Sequence, residues 1–335
     1  MPLIKETIFA PPLVGGEWLQ HGPIELGGLR GKAVVLVDFW DYTCVNCLRT
    51  LPYVAGWHRR YAASGLVVVG VHAPEFSFAR ARDQVAAAIG ELGLEYPIVL
   101  DNDYTIWRAY TNRYWPAKYL IDAQGRLRYY HFGEGLYEET ETRIQETLGE
   151  LSPALRFPPP LAPVRPGDRS GALCYRVTPE LYLGYERGQF GNPGGVAQER
   201  AADYADPGRH AEGAIYLRGR WTVDREVARA EAAQAAIAIR YTAMDVNLVM
   251  APPAAGPARV ELELGGNQRP GADVRRDGAR MIVNVDRPRM YALVANESVE
   301  PGNLRLRALE PGLSAFAFTF VSCVVEAGGD DGKQG

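Results

Sequence analysis

Residues 33–40 read Ala-Val-Val-Leu-Val-Asp-Phe-Trp. A run this apolar and β-branched leaves no face for water. It predicts a strand buried on both sides, as in the middle of a parallel sheet. Such a strand needs other strands beside it and helices over both faces. The chain supplies them in order. Val45 to Tyr61 reads as a helix, and Leu66 to Val71 (Leu-Val-Val-Val-Gly-Val) as a second buried strand. Residues 78–92 have helical, Ala-rich periodicity. Tyr96 to Leu100 reads as a short strand and Tyr104 to Tyr110 as a short helix. Lys118 to Asp122 and Arg126 to Phe132 are strands joined by Ala123-Gln124-Gly125, a hairpin signal. Tyr137 to Leu151 closes the unit as an amphipathic helix. Strands alternating with helices imply an α/β layered domain over residues 1–151.

Residues 152–168 hold six prolines, including Pro158-Pro159-Pro160. They read as a stiff, extended linker. Residues 169–328 change character, with short apolar or aromatic runs separated by Gly, Pro, Asn and Asp. These runs are Glu180 to Tyr185, Ala214 to Leu217, Ala236 to Tyr241, Val246 to Met250, Ala258 to Leu264, Arg280 to Val285, Arg289 to Val294 and Leu313 to Val325. That spacing predicts an all-β, jelly-roll-like sandwich. Arg225 to Ala238 resists, since Ala and Glu there favour a helix. With 335 residues, two cores are the expectation.

A net charge of −4 points away from nucleic acid and anionic membranes. No run has the roughly 18 apolar residues of a membrane span. Met1 to Phe9 carries Lys5 and Glu6 and no apolar core of a secretory signal, so a cytoplasmic location is expected, or an extracytoplasmic one if the sequence is trimmed.

The four cysteines are Cys44, Cys47, Cys174 and Cys323. The first two form a C-x-x-C where the buried strand gives way to the helix, which reads as redox chemistry. Unpaired N–H groups and the dipole of a helix N-terminus stabilise a thiolate. Cys44 is therefore expected to attack a substrate disulfide, and Cys47, one turn on, to resolve the mixed disulfide. A structural zinc site would need a second ligand pair at short spacing, which is lacking. A purely structural disulfide is the other reading of the pair. Cys174 and Cys323 lie near the two ends of the second domain, as two free thiols or as a bridge.

The first half resembles thioredoxin-fold redoxins of the TlpA/ResA group. The resemblance rests on Val37-Asp38-Phe39-Trp40 before the cysteines, Pro52 five residues after Cys47, Trp115-Pro116, and Tyr119-Leu120-Ile121-Asp122 followed by Gly125. It sharpens toward the C-terminal portion of DipZ-type proteins. The residues that carry it are Tyr42 to Pro52, Gly70 to Phe76, Asp101-Asn102-Asp103-Tyr104 and Tyr114-Trp115-Pro116-Ala117. In that group a thioredoxin-like domain precedes a sandwich resembling carbohydrate-binding modules. Weaker likeness continues at Thr178-Pro179-Glu180, Gly184-Tyr185 and Gly312 to Phe320.

The resemblance implies a thiol–disulfide oxidoreductase acting on protein disulfides, with reduction the expected direction. Its only redox group would be the Cys44–Cys47 disulfide, with no metal and no other cofactor, and its electron donor is unassigned. Asp38 would accept the Cys47 proton. Pro116 would be cis, with the neighbouring backbone pairing with substrate. Trp40, Thr43, Glu75 and Trp115 would contact substrate, while His72 reads as a packed strand-end residue. Thr43 stands where thioredoxins often have Trp, and Val45-Asn46 replaces Gly-Pro. A thiol-dependent peroxidase is the enzymatic rival, although its Pro-x-x-x-Thr-x-x-Cys motif fails on spacing. A glycan- or protein-binding module carrying a redox domain is the third reading, with Tyr182, Tyr185, Phe190 and Trp221 as candidate platforms.

Overall fold

The apolar run becomes an inner strand of a six-stranded sheet. In chain order the strands are β1 (Glu17–Gln20), β2 (Val34–Trp40), β3 (Leu66–His72), β4 (Ile98–Leu100), β5 (Ala117–Ile121) and β6 (Leu127–Phe132). Across the sheet they run β1-β4-β3-β2-β5-β6. Strand β2 is parallel to β3 and antiparallel to β5. All seven of its residues are buried. Successive side chains of a strand point to opposite faces. Val34, Leu36 and Trp40 accordingly enter one apolar cluster, while Val35, Val37 and Phe39 enter another. Helices α1 (Val45–Tyr61), α2 (Arg82–Leu92) and α4 (Tyr137–Leu151) supply the first cluster, and α3 (Thr105–Ala109) lies with the second. This is a thioredoxin-like fold. Phe39 meets the edges of Trp107, Tyr110 and Tyr119 at centroid distances of 5.7, 5.5 and 5.6 Å. Each fully buried side chain of this size contributes about 1.5–3 kcal/mol.

The structure, a computed structural model, describes residues 7–169 and 172–324. They form two compact units that divide between Val164 and Arg165. The segment read as a helix over 78–92 splits into a 3₁₀ turn, Ser77–Arg80, and α2, because Ala81 between them is extended (φ −69°, ψ 116°). Residues 152–164, expected as a spacer, lie on the first unit. Leu155, Phe157 and Leu161 pack against its larger cluster. An extended Pro-rich chain makes few hydrogen bonds of its own, so its apolar side chains and free N–H groups are available to a neighbour. Leu161 N–H donates to Glu141 Oε2 (2.7 Å), and Val164 N–H donates to Tyr53 Oη (2.7 Å).

The second unit is all β. Its strands are β7 (Leu173–Cys174), β8 (Leu181–Tyr182), β9 (Ala201–Tyr204), β10 (Ile215–Val223), β11 (Ala228–Ala230), β12 (Ala236–Ala251), β13 (Ala258–Leu264), β14 (Val274–Asp277), β15 (Arg280–Val285), β16 (Arg289–Ala308), β17 (Ser314–Val321) and β18 (Cys323–Val324). All but β7 and β18 join one antiparallel sheet around a single core. Two runs read as separate strands are the halves of β12. A bulge between Ala243 and Asp245 joins them. Core residues shift from Ile237, Ile239, Tyr241 and Ala243 to Val246, Leu248 and Met250, so the extra residue keeps the apolar side inward. The Ala-rich segment 225–238 is not a helix. It forms β11, a turn with Gln234 at φ 68°, and the start of β12. Ala228, Ala230, Ala235, Ala236 and Ala238 are buried in the β core, and that packing overrides helix propensity. Cys174 and Cys323 are register partners on β7 and β18. Their side chains, and with them the question of a bridge, lie outside the described residues.

Glu141 of α4 is buried and unites this first unit. It accepts from Trp57 Nε1 (3.0 Å), Arg60 Nη1 (2.6 Å), Tyr61 Oη (2.6 Å) and Leu161 N (2.7 Å). Glu141→Leu removes the acceptor from all four donors, of which Arg60 keeps a second acceptor, Pro159 O (2.8 Å). It is expected to destabilise the first unit by about 3–5 kcal/mol in urea unfolding followed by tryptophan fluorescence. A loss below about 1 kcal/mol would show that water replaces the carboxylate at little cost.

Candidate active site

Strand β2 ends at Trp40, and the chain turns through Asp41–Thr43 before α1 begins. Cys44 is the N-cap of α1, in extended conformation (φ −86°, ψ 115°). Its Sγ accepts from the N–H of Cys47 at 3.3 Å. This is the contact expected of a thiol at a helix start, where the first N–H groups have no helical partner. Cys44 is half-buried, Cys47 is buried, and both are unbridged. Burial pushes the Cys47 thiol up, and the neighbouring Cys44 and the Asp38 charge push the same way. The two sulfurs are thus unequal: one reachable, one held protonated in the core.

Asp38 lies on the same face of β2 as Leu36 and Trp40, wholly buried. Neither carboxylate oxygen has a hydrogen-bond partner among the described residues. Directly across the β2–β5 ladder stands Lys118, also wholly buried. Its Nζ donates to Gly133 O at 3.2 Å. Burial raises Asp38 to about 7 against the opposing pull of Lys118. Burial lowers Lys118 to about 8 against the opposing pull of Asp38 and Cys47. Two titratable groups near neutrality therefore sit in the core that holds the buried thiol. Lys118 was missed in the sequence. Its signal was a lone lysine in a five-residue strand of otherwise apolar and aromatic residues.

The Trp115–Pro116 bond is cis, and Pro116 is buried. Trp115 is half-buried; its Nε1 donates to Ala73 O (2.9 Å), and its ring lies 4.3 Å from that of Trp107. Glu75 is half-buried, and its N–H donates to Asp41 Oδ2. Two expected substrate contacts need correction. Trp40 is wholly buried, packed as an edge against His72. Thr43 is 1% exposed, with its Oγ1 donating to Asp41 Oδ1 at 2.8 Å. Neither side chain is open to a substrate, because the β2 end and the turn after it are covered on both faces. His72 is buried, as a packed strand-end residue would be, and burial lowers its pKa.

Among the described residues no cluster of His, Cys, Asp or Glu is placed to hold a metal ion. No helix among them is long and apolar enough to cross a membrane. In the second unit, Trp221 is buried and donates to Arg218 O, Tyr185 and Phe190 pack on the core, and Arg187 covers the Tyr182 ring at 3.6 Å. Of the four aromatics weighed as a glycan platform, Trp221 is buried and Tyr182, Tyr185 and Phe190 are half-buried.

Comparison with known proteins follows this division. Residues 12–130 match the AhpC/TSA family, and residues 178–320 match the family described as the thioredoxin like C-terminal domain. Protein DipZ of Mycobacterium tuberculosis and of Mycobacterium bovis is 38% identical over 316 residues, covering 93% of this chain and 42% of DipZ. The chain thus spans less than half the length of these relatives. Thiol-disulfide oxidoreductase YkuV of Bacillus subtilis is 29% identical over 140 residues, 42% of this chain and 94% of YkuV. Among solved structures, a thioredoxin-like protein in the oxidized form is 29% identical, covers 42% of this chain and 96% of its own, and has a TM-score of 0.39.

The buried Asp38 has a signed effect on stability. Its pKa rises from 3.8 to about 7 on folding, so its contribution is full below 3.8 and is lost as pH climbs through about 7. Between those limits stability should fall by up to about 1.4 kcal/mol per pH unit from this group. In Asp38→Asn that slope should vanish or reverse, measured by urea unfolding from pH 4 to 7. Parallel profiles for the two proteins would refute the assignment.

Proposed function

We propose that this chain, a thioredoxin-like redoxin whose first half is an AhpC/TSA-family domain, is a thiol–disulfide oxidoreductase that reduces disulfides of protein substrates through Cys44 and Cys47. The observation that carries the reading is the unequal pair: a reachable Cys44 Sγ held by a helix-start N–H, and a buried Cys47 one turn away. The name of YkuV, a thiol-disulfide oxidoreductase similar over 94% of its own length, supports it.

In this mechanism the Cys44 thiolate attacks one sulfur of the substrate disulfide. The other substrate sulfur leaves as a thiolate and takes a proton from water. Asp38 then accepts the proton of Cys47, whose sulfur attacks Cys44 Sγ and expels the second substrate thiolate. Two electrons have passed to the substrate, and Cys44 and Cys47 are joined. A dithiol donor reverses that change for the next turnover. A carboxylate near 7 suits this proton transfer, since an acceptor works best when its pKa is close to the working pH. The backbone of Trp115, before cis Pro116, is the segment proposed to pair with an extended substrate, with Glu75 at the rim.

Insulin disulfide reduction driven by dithiothreitol tests the reading. Cys44→Ser should lose roughly a thousandfold or more of the activity, as expected when a nucleophile is removed. Cys47→Ser should accumulate a covalent mixed disulfide that dithiothreitol releases. Normal turnover by Cys47→Ser would overturn the two-cysteine mechanism. Rapid hydrogen peroxide consumption with no insulin reduction would instead favour the peroxidase reading.

A further inference from the structure

Asp41 is a wholly buried carboxylate three residues before Cys44, and the exchange steps above give it no task. Its Oδ1 accepts from Thr43 N (2.7 Å) and Thr43 Oγ1 (2.8 Å), and its Oδ2 accepts from Glu75 N. Its own carbonyl accepts from Cys44 N at 3.3 Å. One side chain thus binds two separate segments: the turn that delivers Cys44, and the loop that follows β3. The second segment is tied onward. Ala73 O accepts from Trp115 Nε1 (2.9 Å), and Pro74 O accepts from the Tyr104 hydroxyl. A continuous path therefore runs from Cys44 through Thr43, Asp41, Glu75 and Ala73 to Trp115.

We propose that Asp41 is a positioning residue: its carboxylate sets the separation between the attacking Cys44 and the Trp115–Pro116 segment against which the substrate lies. This rests on the exchange reading above. The chemistry explains why the position is an acid. Three donors converge on it from two directions, so both terminal atoms must be acceptors. An asparagine presents one oxygen and one NH₂, and whichever way it turns, its NH₂ faces an N–H. The aspartate is walled by His72, whose Nε2 is 3.9 Å from Oδ1, beyond hydrogen-bonding distance. His72 is itself held between the edge of Trp40 (5.2 Å) and the stacked ring of Tyr42 (5.7 Å). Asp41 is therefore fixed by donors on neighbouring chain segments and not by a bonded cation.

The test uses the full chain and two reactions that share Cys44 but differ in their need for the Trp115 segment. One is insulin reduction, which requires the substrate backbone to dock. The other is thiol modification by iodoacetamide, a reagent too small to need it. Asp41→Asn should raise the KM for insulin about tenfold, the change that the net loss of about one hydrogen bond brings, while the alkylation rate of Cys44 stays within about twofold. If Asp41→Asn fails to fold, Thr43→Val tests the same link by removing one donor, with a smaller rise in KM that Thr43→Ser restores. A wild-type KM in the variant that folds would overturn the proposal. Equal loss in both reactions would also overturn it, since it would mean general collapse of the turn. Absence of insulin reduction in the wild-type chain would overturn the exchange reading and this proposal with it, whereas an active wild type beside a variant of unchanged KM overturns the proposal alone.

Discussion

The burial of β2 on both faces is the constraint from which the site follows. A strand between β3 and β5, covered above and below, can surface only at its end. The chain leaves the core there and starts α1 within five residues. Cys44 consequently meets the unpaired N–H groups of a helix start, and its Sγ takes one of them. The same burial makes any polar side chain on β2 expensive. Asp38 meets that cost through a shifted proton equilibrium rather than through hydrogen bonds, and Lys118, its cross-strand neighbour, shifts in the opposite direction.

Three of the buried carboxylates in the first unit make the contrast plain. Glu141 receives four donors and Asp41 receives three. Asp38 receives none among the described residues. A carboxylate that receives several donors ties together the chain segments that carry them. Such a group organises structure. An unsaturated one can change protonation without breaking a contact. This difference, more than proximity to a cysteine, singles out Asp38 as the proposed proton acceptor and leaves Asp41 a positioning task.

Local signals were legible in the sequence where one stretch of chain decides the outcome. The β2 run, the C-x-x-C at the helix start, and helices Val45–Tyr61 and Tyr137–Leu151 are of this kind. What stayed hidden depends on partners distant in sequence. Lys118 matters because the ladder sets it opposite Asp38, and Glu141 because α1 and residue 161 bring donors to it. Thr43 and Trp40 looked like site residues by position, yet whether a side chain next to a cysteine faces solvent is decided by β3 and the loop after it. In the second unit, residues 242–245 resembled a turn between strands, and the cross-strand pairing with β16 makes them a bulge within one strand. Alanine-rich 225–238 followed its neighbours in the sheet rather than its own propensity.

The arrangement also sets the order of the proposed exchange. Cys47 cannot attack first, since ionising it in the core would create a buried charge, and its thiol is held up by that burial. Once Cys44 is in a mixed disulfide, its sulfur no longer carries negative charge, and the Cys47 N–H loses an anionic acceptor. Transfer of the Cys47 proton to ionised Asp38 then exchanges one buried anion for another. The number of charges in the core stays constant, and Lys118 faces the pair throughout. The desolvation penalty that blocks Cys47 alone is thereby cancelled against the one already borne by Asp38. Resolution is easy only through this coupled transfer, so an acid on β2 that is satisfied by hydrogen bonds would be a poorer acceptor than one that is not.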